Sequence, residues 1–130
     1  MSHHRHVVTA LDAPAAIGPY SHAVRVGKLL FCSGQIPLDP QTGELVGGTP
    51  GDQARQCLEN LGHVCAAAGA SLSDAARITV YLTNMAAFAE VNDVYETFFG
   101  AEPPARVAIG VAALPRNAQV EVDAVVALPD

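Results

Sequence analysis

Apolar and polar positions divide the chain into short segments with distinct periods. His6 to Leu11 contains the β-branched run Val7, Val8, Thr9 and predicts an edge strand. Ala13 to Tyr20 breaks every period. Its Pro14, Gly18 and Pro19 predict a rigid, irregular connector ending on Tyr20. Ser21–Val26 and Lys28–Ser33 read as two strands with a turn at Gly27-Lys28. The second of these is nearly all apolar, which suits a central strand, and it runs into Gly34. A glycine where a strand ends lets a ligand or another chain approach the backbone; taken alone, a plain turn or bulge is the simpler explanation. Asp39 to Gly48 is a turn-rich loop without the glycine spacing or lysine of a phosphate loop.

Thr49 then opens a helix, with Pro50 at the first helical position and Asp52 placed for a capping box. Ala54, Cys57, Leu58, Leu61, Val64, Cys65 and Ala68 recur at helical spacing, and Gly69 is the stop. Gln53, Gln56, Asn60 and His63 are expected on the solvated face. Ala75–Thr83 alternates as a strand, with Ala76, Ile78, Val80 and Leu82 on one side. Asn84 is a cap for a second helix, Met85–Phe99, whose buried stripe is Phe88, Val91, Tyr95 and Phe98. After Gly100, Pro103-Pro104 forces extended backbone into a strand carrying Arg106. The last strand sets Val120, Val122, Ala124, Val126 and Leu128 against Glu121 and Asp123. The loop around Pro115 to Ala118 suggests that these last two strands form a hairpin. The order βββ-α-β-α-ββ predicts an α+β fold with two helices covering one face of a mixed sheet. The other face is rather apolar, and a symmetric homo-oligomer would bury it.

Composition narrows the function classes. The 130 residues are 50% hydrophobic and only 15% charged, the size of one domain spanning 1–130, with residues 1–5 expected as a flexible end. A net charge of −6 and the lack of any basic stripe argue against nucleic acid or an anionic membrane as the main partner. Cys32, Cys57 and Cys65 form no CxxC pair, which points to reduced thiols and a cytoplasmic setting. His3, His4 and His6 read as an expression remnant or a frayed polar end rather than a metal site.

Two opposite charges stand out in the closing stretch, Arg106 in one strand and Glu121 in the next. Lone charges in half-buried strands are costly unless paired or used. An arginine offers a planar fork suited to a carboxylate, and a glutamate beside it can activate water. Ala108 and Gly110 leave space on the Arg106 face. A pocket for a small carboxylate and a cross-strand ion pair both fit these residues.

The segments APAAIGPYSHAV, FCSGQIPLDPQTGEL, QARQCLENL and VNDVYETFF, together with the closing PAR and VEV runs, occur in order at compatible spacing. In these the chain resembles the reactive intermediate deaminase (Rid, or YjgF) family, in its archetypal branch, from about Ala13 to Leu128. The resemblance implies a chorismate-mutase-like fold and a homotrimer with active sites between subunits. It implies hydrolysis of 2-iminopropanoate and 2-iminobutanoate, released by pyridoxal-phosphate enzymes, to 2-oxoacids and ammonia, with no cofactor and no metal. By position, the carboxylate-binding arginine matches Arg106 and the water-positioning glutamate matches Glu121. Tyr20, Gly34 and Asn92 match further site residues. Ala108 stands where many members have cysteine, a place where a backbone carbonyl would serve but a thiol is lost. The connection Gly100 to Pro104 looks shorter than usual. Other readings are a small-carboxylate binder without turnover, a chaperone-like trimer, and an endoribonuclease or translation inhibitor.

Overall fold

A computed structural model describes residues 4–130. The strands are β1 (Arg5–Val8), β2 (Ala23–Val26), β3 (Leu29–Gln35), β4 (Ala75–Leu82), β5 (Ala105–Gly110) and β6 (Val120–Ala127). The helices are α1 (Pro50–Ala67) and α2 (Phe88–Glu96). The strands form one six-stranded mixed sheet in the order β1-β2-β3-β6-β4-β5. This is the expected α+β arrangement, and the chain order of elements agrees with the sequence pattern.

The capping box at Thr49 forms in full. The Thr49 hydroxyl accepts from the Asp52 amide, and the Asp52 carboxylate accepts from the Thr49 amide. Cys57, Leu58, Leu61, Val64 and Cys65 of α1 pack against Leu30 of β3 and Val120, Val122, Ala124 and Val126 of β6. All three cysteines are free and buried, as small core residues. Gly27 adopts φ +59° at the β2–β3 turn, a conformation that glycine takes without strain.

Four expectations need correction. First, β1 begins at Arg5 and ends at Val8, so the strand starts earlier and stops sooner than His6–Leu11, and Arg5 is not a loose end. Of the N-terminal histidines, His3 lies outside the described residues, and His4 and His6 are exposed. Second, the second helix is shorter than Met85–Phe99. Asn84 caps a separate 3-10 turn, Met85–Ala87, through the Ala86 amide, and α2 proper begins at Phe88.

Third, Gln53 and Asn60 are not on a solvated face; they are 3% and 0% exposed. Burial of an amide is tolerated when its donors and acceptors are satisfied. Asn60 Nδ2 donates to the Leu38 carbonyl at 3.0 Å and accepts, through Oδ1, the Gln56 amide at 2.9 Å. Gln53 donates to the Val46 carbonyl and accepts from the Gln119 amide. These two side chains fasten the 36–46 loop and the start of β6 to α1. Asn60→Ala leaves the Leu38 carbonyl buried without its partner. A loss of about 1–3 kcal/mol is expected, measured as a lower urea midpoint.

Fourth, β5 and β6 do not pair. β4 lies between them, parallel to β5 and antiparallel to β6. Parallel neighbours require a crossover, and α2 supplies it between β4 and β5. That leaves β6 to fill the slot between β3 and β4, antiparallel to both.

The helices cover one face of the sheet. The opposite face exposes Val26, Leu29, Phe31, Val107 and Ile109, each at 42–45%. Among the described residues, no helix is long and apolar enough to cross a membrane.

Candidate active site

The strand order separates Arg106 from Glu121. In the ladder, Arg106 sits beside Ile78 of β4, whereas Glu121 sits opposite Tyr81. Two strand spacings give roughly 10 Å across the sheet and three residues give roughly another 10 Å along it. Successive residues also point to opposite faces. Ile78 is fully buried under the helices, so Arg106 shares the helix-covered face, and Tyr81 and Glu121 share the open one. A cross-strand ion pair within one subunit is thereby excluded.

Arg106 is exposed on the edge strand rather than buried. Its Nη1 donates to Asn92 Oδ1 of α2 at 2.6 Å. The guanidinium carbon lies 5.4 Å from the centre of the Phe88 ring and 4.8 Å from that of Tyr95. Stacking on two rings and one amide bond fixes the plane of the fork, which favours bidentate recognition. An open cavity of ≈ 350 Å³ adjoins it, lined by Asn92, Tyr95, Phe99, Pro103, Pro104 and Arg106 among others. Gly100, Pro103 and Pro104 of the connection into β5 form part of that wall. The Tyr95 hydroxyl is buried without a hydrogen-bond partner among the described residues. Burial pushes its pKa up, against a smaller opposing effect of Arg106, so it stays protonated at neutral pH.

Glu121 belongs to a second cavity of ≈ 360 Å³, lined by Ile17, Tyr20, Ser33, Gly34, Ile36, Pro115 and Glu121. With Glu121 in this position, Gly34 leaves no room for a side chain. A Cβ at this position would lie 2.1 Å from Glu121 Oε2. Burial, and then the charge of Asp123, push the Glu121 carboxyl above the usual carboxylate range. Asp123 in turn accepts from the Tyr81 hydroxyl at 2.8 Å. Ser33 ties this wall to the chain before β2. Its amide donates to the His22 carbonyl at 3.0 Å and its hydroxyl to the Ser21 carbonyl at 2.7 Å. Tyr20 remains 45% exposed on the irregular connector, its ring folded against Gly18.

The candidate residues therefore fall into two groups. Arg106 and Asn92 share one cavity; Tyr20, Gly34 and Glu121 share the other. Ala108 lines neither and lies in β5 beside Val80. Ser33, Tyr95, Phe88 and Pro115 were not singled out from the sequence as site residues. Ser33 was signalled only as a polar end to an apolar strand next to Gly34. Phe88 and Tyr95 were absorbed into the apolar stripe of a helix. No group of three or more His, Cys, Asp or Glu among the described residues is placed to hold a metal ion.

Comparison with known proteins agrees with this architecture. Residues 10–128 match the family model described as endoribonuclease L-PSP. A RutC family protein of Pyrococcus horikoshii is 48% identical over 121 residues, covering 93% of this chain and 96% of the relative. The 2-iminobutanoate/2-iminopropanoate deaminase of Mus musculus is 46% identical over 121 residues, covering 93% of this chain and 90% of the mouse protein. The crystal structure of E. coli TdcF with bound serine superposes with a TM-score of 0.90 at 39% identity, covering 95% of this chain and 99% of that one. With this sheet order, these two cavities and a match across almost its whole length, the chain belongs to the endoribonuclease L-PSP family, known equally as the Rid or YjgF family.

Proposed function

We propose that the protein is a hydrolytic deaminase that converts 2-imino and enamino acids, such as 2-iminopropanoate and 2-iminobutanoate, to 2-oxoacids and ammonia. The single observation that carries this reading is the division of the candidate residues between two cavities on opposite faces of one sheet. An anion clamp and a raised carboxyl that cannot meet within one subunit are suited to meet between two. The apolar open face gives a symmetric homotrimer a surface to bury. Relatives 42–46% identical carry the deaminase name, and a relative has been crystallised with bound serine, a small amino acid carboxylate.

In this reading Arg106 holds the substrate carboxylate in a two-pronged contact, and Asn92 keeps the guanidinium turned. Backbone groups near Gly34 and Ala108 fix the imine nitrogen. Glu121 orients a water and accepts its proton as the oxygen attacks C2. The proton passes to the nitrogen to give a carbinolamine; its hydroxyl proton then moves by way of Glu121 to the amine as the C–N bond breaks and the C=O bond forms, releasing ammonia and the 2-oxoacid. Tyr20 closes the cleft or donates to the adduct. Since the imine carbon is already electrophilic, most of the catalysis is positional, and the chemistry calls for no cofactor. The setting is cytoplasmic, where pyridoxal-phosphate enzymes release such imines.

The deciding assay follows 2-iminobutanoate, generated in place by threonine dehydratase. The protein should speed ammonia release beyond the spontaneous rate; an unchanged rate removes the deaminase reading. A pH series gives an independent check on Glu121. Its raised pKa moves the acid limb of kcat/KM above the range of an ordinary glutamate, and Glu121→Gln abolishes turnover. The sign for stability is opposite. A carboxyl whose pKa rises on folding favours the folded state only while it is protonated, and that contribution is lost as pH rises through the folded value. Glu121→Gln should therefore raise the melting temperature at neutral pH while it destroys activity.

A further inference from the structure

We propose that His22 is a positioning residue for the site, locking the connector that carries Tyr20, an inference that rests on the deaminase reading above. His22 is 6% exposed and both ring nitrogens are engaged. The Ala10 amide lies 2.9 Å from Nδ1, and the Pro14 carbonyl lies 2.7 Å from Nε2. An amide can only donate and a carbonyl can only accept. Nδ1 therefore carries the lone pair and Nε2 the proton, so one neutral tautomer satisfies both contacts.

The two contacts close a loop. One imidazole joins the chain at Ala10 and Pro14 to the residue that precedes β2, and residues 15–20 between these points are all exposed. The carbonyl of the same residue accepts from the Ser33 amide, next to Gly34. His22 thus connects the inner end of the connector with the strand end that faces Glu121. Ile17 and Tyr20, at the tip, line the Glu121 cavity. Among the described residues, Tyr20 donates its amide to the Gly18 carbonyl, and its hydroxyl accepts weakly from the Ile17 amide at 3.4 Å. Both bonds are internal to the tip and cannot fix it to the sheet. Where catalysis depends on placement, a shift of about 1 Å can cost up to a hundredfold in rate.

His22→Leu keeps much of the bulk and removes both polar contacts. Its kcat/KM for 2-iminobutanoate should fall about tenfold or more. His22→Gln, with one acceptor and one donor, should recover most of that loss. Combining His22→Leu with Tyr20→Phe should cost little more than the worse single change, because both act on one wall. Nitrogen NMR of the wild-type ring should find the proton on Nε2. Amide exchange of residues 15–20 should quicken in His22→Leu. A folded His22→Leu protein with wild-type kcat/KM overturns the proposal. So do a His22→Gln variant no better than His22→Leu, additive losses in the double variant, or a proton on Nδ1. Failure of the wild type to hydrolyse imines defeats the deaminase reading instead. The connector is then judged by exchange alone, and unchanged protection in His22→Leu refutes the lock.

Discussion

Replacing Arg106 by alanine is expected to cut kcat/KM for 2-iminobutanoate between about 10-fold and 200-fold, with the fold intact. The magnitude follows from what is removed. Charge-assisted bonds to a carboxylate contribute roughly 1.5–3 kcal/mol, and each 1.36 kcal/mol is about a factor of ten. The stability cost is smaller, because Arg106 is exposed on an edge strand and its loss removes stacking on Phe88 and Tyr95 rather than core volume. Arg106→Lys separates charge from shape. Lysine keeps the cation but loses the planar fork, so it should restore only part of the loss. Unaltered turnover by Arg106→Ala, measured in the coupled threonine dehydratase assay, would take the carboxylate clamp away from this residue.

The second large effect is expected at Gly34. An added methyl would overlap Glu121 Oε2 at 2.1 Å, while the nearest other atoms are Cδ and Cγ of the same side chain at 3.0 and 3.2 Å. The obstacle is the far end of a flexible side chain and not backbone. Gly34→Ala should therefore fold, with Glu121 swung out of its cavity and activity lost. The expected result is a near-wild-type melting curve beside a loss of kcat comparable to that of Glu121→Gln. Full activity in Gly34→Ala would mean that the carboxylate position beside Gly34 is irrelevant to turnover. Severe unfolding would mean that the position serves packing before chemistry.

The elements of this fold were legible because each carries its own period. Thr49, Pro50 and Asp52 announced α1 to within a residue of its observed start, and the valines of β6 marked a strand with one dry face. Neighbour relations were not legible. Nothing in Pro103 to Val126 records that β4 will stand between the two strands. That depends on where the α2 crossover delivers β5, which is a property of the assembled sheet. The same limit explains Gln53 and Asn60. Their polarity suggested solvent, but the carbonyls of Leu38 and Val46, supplied by a distant loop, made burial favourable. Six candidate site residues were named from the sequence and the resemblance together, and five of them line one or other cavity. Their partition into two groups could not be read, because it follows from strand order.

The place of β6 carries one further consequence. It is the last strand of this domain to be synthesised and yet it is an inner strand, bonded on both edges to β3 and β4. Until residues 120–127 have emerged from the ribosome, β1-β2-β3 and β4-β5 are two separate ribbons with no ladder between them. The nascent chain must therefore hold an open, apolar sheet seam through most of its translation. Folding is then governed by the arrival of the final segment and by long-range pairing, which is slow and exposes the chain to aggregation. A ribosome stalled before Val120 should hold a protease-sensitive chain, and one stalled well beyond Ala127 a resistant domain.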